Sequence, residues 1–288
     1  MKYQAGGINM FENKKILILG FARSGYEAAK FLIQRQNKVL VNDGGTLKEE
    51  DQEKKEELSR LGVEFLFGSH PDDLLEQGFD YIIKNPGVPI DHKYVLEAKI
   101  KNIPVINEVE MAYLCLPKDK NIQLIGITGT NGKTTTTTLI YQFLKEDGKR
   151  AHLAGNIGYP LCSFLDKLEE NDIIVTEVSC QQLENIDQFK VNVAVLTNIS
   201  EAHIEFMKTF DHYKEVKERL LKNLTKEDTA ILNMENDIVM DMGRRTCAKV
   251  KYFSSKQEMN GCYLKDDAIY YYEEKIIDLK DILLRGVH

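Results

Sequence analysis

Residues 122–148 read IQLIGITGTNGKTTTTTLIYQFLKEDG. The apolar run up to Thr128 predicts a strand, the small polar residues after it a loop, and the stretch from Thr134 a helix closed by Gly148. Gly-Lys-Thr between a buried strand and a helix is the setting of a phosphate loop. Its glycines let backbone N–H groups turn inward, the helix N-terminus adds partial positive charge, Lys133 neutralises terminal phosphate oxygens, and the Thr134 hydroxyl faces Mg²⁺. The strict spacing would place glycine at 127, where this chain has Ile127, with glycines at 126 and 129 instead. Candidate ATP contacts are therefore Gly129, Thr130, Asn131, Gly132, Lys133, Thr134 and Thr135. A Gly-rich turn that merely caps a helix is the plainer alternative, and the preceding buried strand argues against it. The run Thr134–Thr138 has poor helix propensity, because β-branched side chains lose freedom there, so something other than propensity selects it.

Outward from this segment the chain reads as two α/β series. In the first, KKILILG (14–20), KVLVND (38–43), VEFLFG (63–68), DYIIKN (80–85) and VIN (105–107) predict strands, and a helix carrying Ala28, Ala29, Leu32 and Ile33 follows the first of them. Strand, helix, strand in that order needs a right-handed crossover, hence a parallel sheet with helices on both faces. The dense mixed charge of KEEDQEKKEEL (48–58) is a solvated helix face and not a binding tail. EVEMAYLCL (108–116) predicts a helix, and LPKDKN (116–121) a linker. In the second series DIIVTEVS (172–179) and VNVAVLTNIS (191–200) predict strands and DHYKEVKERLLKNL (211–224) a charged helix. KVKYFS (249–254), GCYLKD (261–266) and AIYYYEE (268–274) alternate as antiparallel strands do. Two domains are expected, 1–117 and 118–288.

A length of 288 residues suits two such domains, each with its own core. Apolar residues at 43% and charged residues at 29%, with few prolines and glycines, exclude collagen-like and disordered classes. A formal charge of −7 leaves no global basic field for nucleic acid or anionic lipid, so any phosphate must be held locally. No apolar run approaches the roughly 20 residues of a membrane span. The N-terminus MKYQAGGINM lacks the charged and apolar regions of a secretion signal, so a cytoplasmic protein is expected. Five cysteines without any C-x-x-C spacing indicate free thiols.

The loop TGTNGKTTT (128–136) resembles that of the Mur ligases and folylpolyglutamate synthases, ATP-dependent enzymes that activate a carboxylate as an acyl phosphate and couple it to an amine. GFARSG (20–25), KNPGVP (84–89), NEVEMAYL (107–114), GNIGYP (155–160) and TEVSCQQLE (176–184) are similar to the D-glutamate-adding branch of the Mur ligases. The resemblance implies a Rossmann-like N-terminal domain for a UDP-linked substrate, and a central P-loop ATPase-type α/β domain with a small antiparallel sheet. It also implies a third domain past His288; if the protein ends at His288, weak turnover is expected. The implied reaction joins UDP-MurNAc-L-alanine to D-glutamate with ATP and two Mg²⁺ ions, in a monomer without nucleic-acid or membrane partners.

Carried over by position, the resemblance implies that Arg23, Ser24, Asp43, Asn85 and Gly87 hold the uridine diphosphate, that Asn156 contacts the sugar-linked substrate, and that Ser179 and Gln182 add substrate contacts. A turn after the first strand and an acid ending the second are where an α/β sheet presents its crevice. Read without the resemblance, GFARSG is equally a dinucleotide turn or a helix-capping turn, since Ala22 replaces the middle glycine. Glu177, at the end of an apolar strand, is by itself an exposed strand-end charge or a ligand for a hard cation. His203 and Lys217 carry no signal alone, and Lys217 reads as one charge on a solvated helix face. The resemblance implies that Thr134 and Glu177 bind one metal, and that His203 and a CO₂-carbamylated Lys217 support a second. Lys133, Glu177, His203 and Lys217 are its catalytic set. The chain departs from the family at Ile204–Lys208 and at Cys180–Gln181. Rival readings are another Mur ligase, a folylpolyglutamate synthase, a non-catalytic nucleotide-binding module, or an NAD-dependent oxidoreductase, which leaves the phosphate loop unexplained.

Overall fold

In the computed structural model, which describes residues 8–202 and 204–282, the first apolar run forms Lys15–Leu19 (β1). A turn at Gly20 leads into Arg23–Ile33 (α1), which buries Ala28, Ala29 and Leu32. Lys38–Asp43 (β2), Gln52–Arg60 (α2), Glu64–Phe67 (β3), Tyr81–Lys84 (β4), Lys93–Lys101 (α3), Val105–Ile106 (β5) and Glu108–Leu114 (α4) follow. The strands form one parallel sheet in the order β3-β2-β1-β4-β5. Chain order therefore reverses at β1, with β2 on one side and β4 on the other. Leu17, Leu19, Leu40, Ile82, Tyr94, Val95 and Ala98 pack one core. On α2 only Leu58 is buried, so its charges lie on a solvated face, as their density implies.

The chain divides into two compact units. The first ends at Ile122 but also takes in Ala154–Asn171 and Glu184–Phe189. Two buried acids on α4 fasten those segments. Glu108 accepts the Cys162 N–H at 2.6 Å, and Glu110 accepts the N–H groups of Asp187, Gln188 and Phe189 at 3.0, 2.8 and 2.9 Å. A carboxylate this deeply buried is tolerable only with such donors. The stretch read as a linker is tied in as well: the Lys120 ammonium donates to the Leu168 carbonyl, and the Asn121 N–H to Glu170 Oε2.

The second unit is built from Gln123–Thr128 (β6), Lys133–Glu146 (α5), Ala151–Gly155 (β7, of which Ala154 and Gly155 already count to the first unit), Ile173–Glu177 (β8), Cys180–Leu183 (α6), Val193–Leu196 (β9), Ile204–Met207 (α7), Phe210–Lys222 (α8), Thr229–Asn233 (β10), Asp237–Arg245 (α9), Lys249–Ser254 (β11), Cys262–Lys265 (β12), Ala268–Tyr271 (β13) and Glu274–Asp278 (β14). Its sheet runs β14-β13-β12-β11-β10-β9-β6-β8-β7. Strand β6 is parallel to β8 and β9 on either side, and Ile127, Val175 and Val195 form the core between them.

The tail corrects one expectation. KVKYFS does not begin an antiparallel set: β11 pairs parallel with β10, and β12 joins β11 in parallel over Phe253↔Cys262 and Ser254↔Tyr263. Only β12, β13 and β14 are antiparallel. The cause is α9, whose buried Val239 and Met242 make it a helical crossover that returns the chain to the same end of the sheet. Neither β10 nor α9 stands out in the sequence pattern.

Candidate functional site

The carboxyl ends of β6, β8 and β9 meet where the second sheet's order reverses, the place at which an open α/β sheet forms its ligand crevice. The loop Gly129–Gly132 leaves β6 there. Gly129 has φ +151°, and a Cβ on it would collide with the Thr197 hydroxyl. Gly132, at φ +80°, turns the chain into α5. The residues after β9 hold the loop. Asn198 accepts the N–H groups of Thr130 (2.8 Å, carbonyl) and Asn131 (3.0 Å, Oδ1), while Thr197 Oγ1 donates to the Asn131 carbonyl at 2.6 Å. The amides of Thr130 and Asn131, expected to face phosphate, are thus engaged with Asn198. The N–H groups of Lys133–Thr135, in the first turn of α5, have no acceptor within the helix.

Three residues singled out by the loop and strand-end reading come together. The Thr134 hydroxyl donates to Glu177 Oε2 at 2.8 Å, and the Lys133 ammonium donates to the Thr130 carbonyl at 2.8 Å. Glu177 is buried at the tip of β8, not an exposed strand-end charge. A hydroxyl and a carboxylate in contact form a hard oxygen pair suited to Mg²⁺, which keeps water and takes its remaining ligands from phosphate. Among the described residues no group of three or more His, Cys, Asp or Glu could hold a metal by itself.

Lys217 overturns the solvated-face reading. It is 1% exposed, and its Nζ donates to Thr128 Oγ1 at 2.9 Å and to the Gly129 carbonyl at 3.0 Å. Burial brings its pKa down to about 8, Lys133 pushes the same way, and Cys180 and Glu177 pull it back. One turn earlier Tyr213, also buried, meets the Thr130 hydroxyl at 3.0 Å. Helix α8 thus grips the loop at two points. The signal was present: Tyr213, Val216, Lys217, Leu220 and Leu221 recur at 3, 4, 7 and 8 residues, so Lys217 lies on the buried stripe. His203 lies outside the described residues.

Ser179 and Gln182, expected as substrate contacts, cap α6 reciprocally: the Ser179 N–H donates to Gln182 Oε1 at 2.9 Å and the Gln182 N–H to Ser179 Oγ at 3.3 Å. This is the capping box of a Ser-x-x-Gln sequence. Thr197, Asn198 and Tyr213 were missed by sequence reading, the first two because a Thr-Asn pair after a strand reads as an ordinary turn.

At the carboxyl edge of the first sheet, Asp43 accepts the Phe21 and Gly45 N–H groups, each at 2.8 Å. Ser24 donates to the side-chain oxygen of Asn85, whose amide donates to the Gly20 carbonyl. Gly25 has no room for a Cβ against that carbonyl and amide, which explains the second glycine of GFARSG. The exposed Arg23 guanidinium donates to the carbonyls of Asn156 (2.9 Å), Gly158 (3.0 Å) and Gly155 (3.4 Å), so it organises the loop on which Asn156 sits. Gly87 is exposed. No helix among the described residues is long and apolar enough to cross a membrane.

Comparison with known proteins matches residues 127–282 to the Mur ligase middle domain and residues 14–107 to the Mur ligase MurD-like N-terminal domain. The UDP-N-acetylmuramoylalanine–D-glutamate ligases of Streptococcus mutans and Lactococcus lactis are each 41% identical over 98% of this chain. The chain spans 61% of the length of those relatives. Among solved structures, the UDP-N-acetylmuramate:L-alanyl-gamma-D-glutamyl-meso-diaminopimelate ligase from Neisseria meningitides aligns with a TM-score of 0.59 at 15% identity, covering 91% of this chain and 85% of that one. The UDP-N-acetylmuramate-alanine ligase of Thermotoga maritima gives 0.52 at 21% identity, covering 92% and 59%. At such identities these two establish the fold alone.

Proposed function

Because the chain belongs to the Mur ligase family, we propose that it carries the nucleotide-sugar and ATP sites of a ligase that joins D-glutamate to UDP-MurNAc-L-alanine for peptidoglycan precursors. The first unit, with Ser24, Asp43 and Asn85 at its carboxyl edge, takes the UDP group, and Arg23 presents Asn156 toward the sugar. The second takes ATP. The observation that carries this reading is the contact between Thr134, in the first turn of α5, and Glu177, at the end of β8, beside Lys133 and the buried Lys217.

The reaction transfers the γ-phosphate of ATP to the substrate carboxylate. The D-glutamate amine then attacks the acyl carbon, its proton is lost, and phosphate leaves. No side-chain nucleophile is needed, so the protein's contribution is positioning and charge neutralisation. Lys133 offsets charge on the terminal phosphates, and the N–H groups opening α5 receive their oxygens. Thr134 and Glu177 would hold one Mg²⁺, and His203 with a carbamylated Lys217 a second; the ions supply positive charge beside the transferring group.

The test is calorimetric titration of the chain with a non-hydrolysable ATP mimic plus Mg²⁺ and, separately, with UDP-MurNAc-L-alanine, followed by phosphate release in the presence of D-glutamate or other amino acids. Both ligands are expected to bind, and K133A to weaken the ATP mimic by about tenfold, the worth of one charge-assisted contact, with the UDP ligand unaffected. Absence of binding by either ligand defeats the reading for that unit. Phosphate release driven by another amino acid would move the chain to a different branch of the family.

A further inference from the structure

Lys84 ends β4 immediately before the turn Asn85–Val88, and its side chain is fully buried. Its ammonium donates to the Val88 carbonyl at 2.6 Å and to the Asn85 carbonyl at 3.3 Å, bracing from beneath a turn that the Val88 N–H closes onto the Asn85 carbonyl at 3.0 Å. Asn85 is the residue whose side chain joins Ser24 to the Gly20 carbonyl, so the turn and the first loop of the sheet share one hydrogen-bonded geometry. A buried cation is expensive: burial lowers the Lys84 pKa to about 8, with the Glu184 carboxylate working against that fall. A neutral side chain of similar length would fill the space at lower cost. The charge therefore needs a reason beyond packing, and a crevice proposed to receive a diphosphate supplies one.

We propose that Lys84 is a positioning residue for the nucleotide–sugar: it fixes the Asn85–Val88 turn in its binding geometry and places positive potential beneath the diphosphate without touching it. This rests on the UDP reading of the first unit. The groups felt by Lys84 are Glu184, from the segment packed in the same unit, and His92, at the start of α3. Burial, helped by the neighbouring His70, Lys93 and Lys84 and opposed by Asp91, lowers the His92 pKa.

Binding and stability should respond to pH with opposite signs. Because the folded pKa lies below the unfolded one, between about pH 8 and about pH 10.5 the unfolded chain holds a proton that the folded chain lacks, and the Lys84 contribution to stability rises with pH. Diphosphate binding loses its cation over the same interval and should weaken. The experiment is titration of wild type and K84M with UDP-MurNAc-L-alanine, without ATP, from about pH 7 to about pH 9. At the lower pH K84M should bind at least about tenfold more weakly than wild type, with affinity for the ATP mimic within about twofold. Wild-type affinity should fall toward the K84M value as pH rises, while K84M stays flat. Equal affinities, or a wild-type profile without slope, overturn the proposal; should K84M fail to fold, the wild-type profile alone decides. A wild type that binds no UDP-MurNAc-L-alanine at any pH refutes instead the nucleotide–sugar reading beneath it.

Discussion

Replacing Gly129 with alanine is expected to weaken binding of an ATP mimic by about a hundredfold or more while the first unit keeps its affinity for the UDP ligand. The new Cβ would lie inside the Thr197 hydroxyl, with the Asn198 carbonyl at 3.1 Å and its N–H nitrogen at 3.2 Å closing the other sides. Neither neighbour can yield cheaply, since Thr197 Oγ1 holds the Asn131 carbonyl and Asn198 holds the Thr130 and Asn131 amides. Overpacking of this kind costs about 1–3 kcal/mol, and a backbone angle of +151° adds about 1–3 kcal/mol for an L side chain. A hundredfold loss needs only about 2.8 kcal/mol, so the lower half of that range suffices. Removing the Thr197 hydroxyl in the same chain relieves the collision but not the backbone strain, so G129A/T197A should recover part of the affinity. An ATP-mimic Kd for G129A within about threefold of wild type would show that the loop does not need its glycine.

Gly129 and Lys217 mark what sequence could and could not tell. The sheet and the loop were legible because their signals are local: apolar runs ending in glycine, and Gly-Lys-Thr between strand and helix. Glu177 was half-legible, since its place at a strand end follows from the pattern but its burial depends on Thr134 approaching from another element. Lys217 shows a different limit. Its charge suggests solvent, whereas its period along α8 suggests the core, and period was the better guide because acceptors from β6 and the phosphate loop were waiting for its ammonium. The return of segments 154–171 and 184–189 to the first unit could not be read locally, because it rests on Glu108 and Glu110 meeting main-chain N–H groups more than fifty residues away. The parallel pairing of β11 was missed for a related reason, since alternation reports a half-buried strand but not the direction of its neighbour.

Substituting methionine for Lys217 should separate chemistry from stability. The wild-type ammonium is held at a pKa of about 8, down from 10.5, chiefly by burial, a penalty of roughly 3 kcal/mol at neutral pH. Methionine removes that penalty and leaves the Gly129 carbonyl short of a donor, a loss of about 1–3 kcal/mol. The two offset, so K217M should unfold near the wild-type temperature at pH 7. As pH rises from about 8 toward about 10.5 the wild type should gain on the variant, because the unfolded lysine then keeps a proton that the folded one has shed. The same depressed pKa makes the amine reactive: near pH 7.5 about a quarter of it is neutral, against about one part in a thousand for an ordinary lysine. Its lone pair can attack the carbon of CO₂, forming an N–C bond and releasing a proton to leave a carbamate, which presents oxygens to a metal where the ammonium could not. Wild type incubated with ¹³C-bicarbonate should therefore show a carbamate carbonyl resonance that K217M lacks, and ATP-dependent phosphate release in the variant should fall by about 100- to 1000-fold. A resonance that survives in K217M assigns the modification elsewhere. Loss of cooperative folding at pH 7 would mean that the lysine is buried for its hydrogen bonds to Thr128 and Gly129 and not for what its nitrogen becomes.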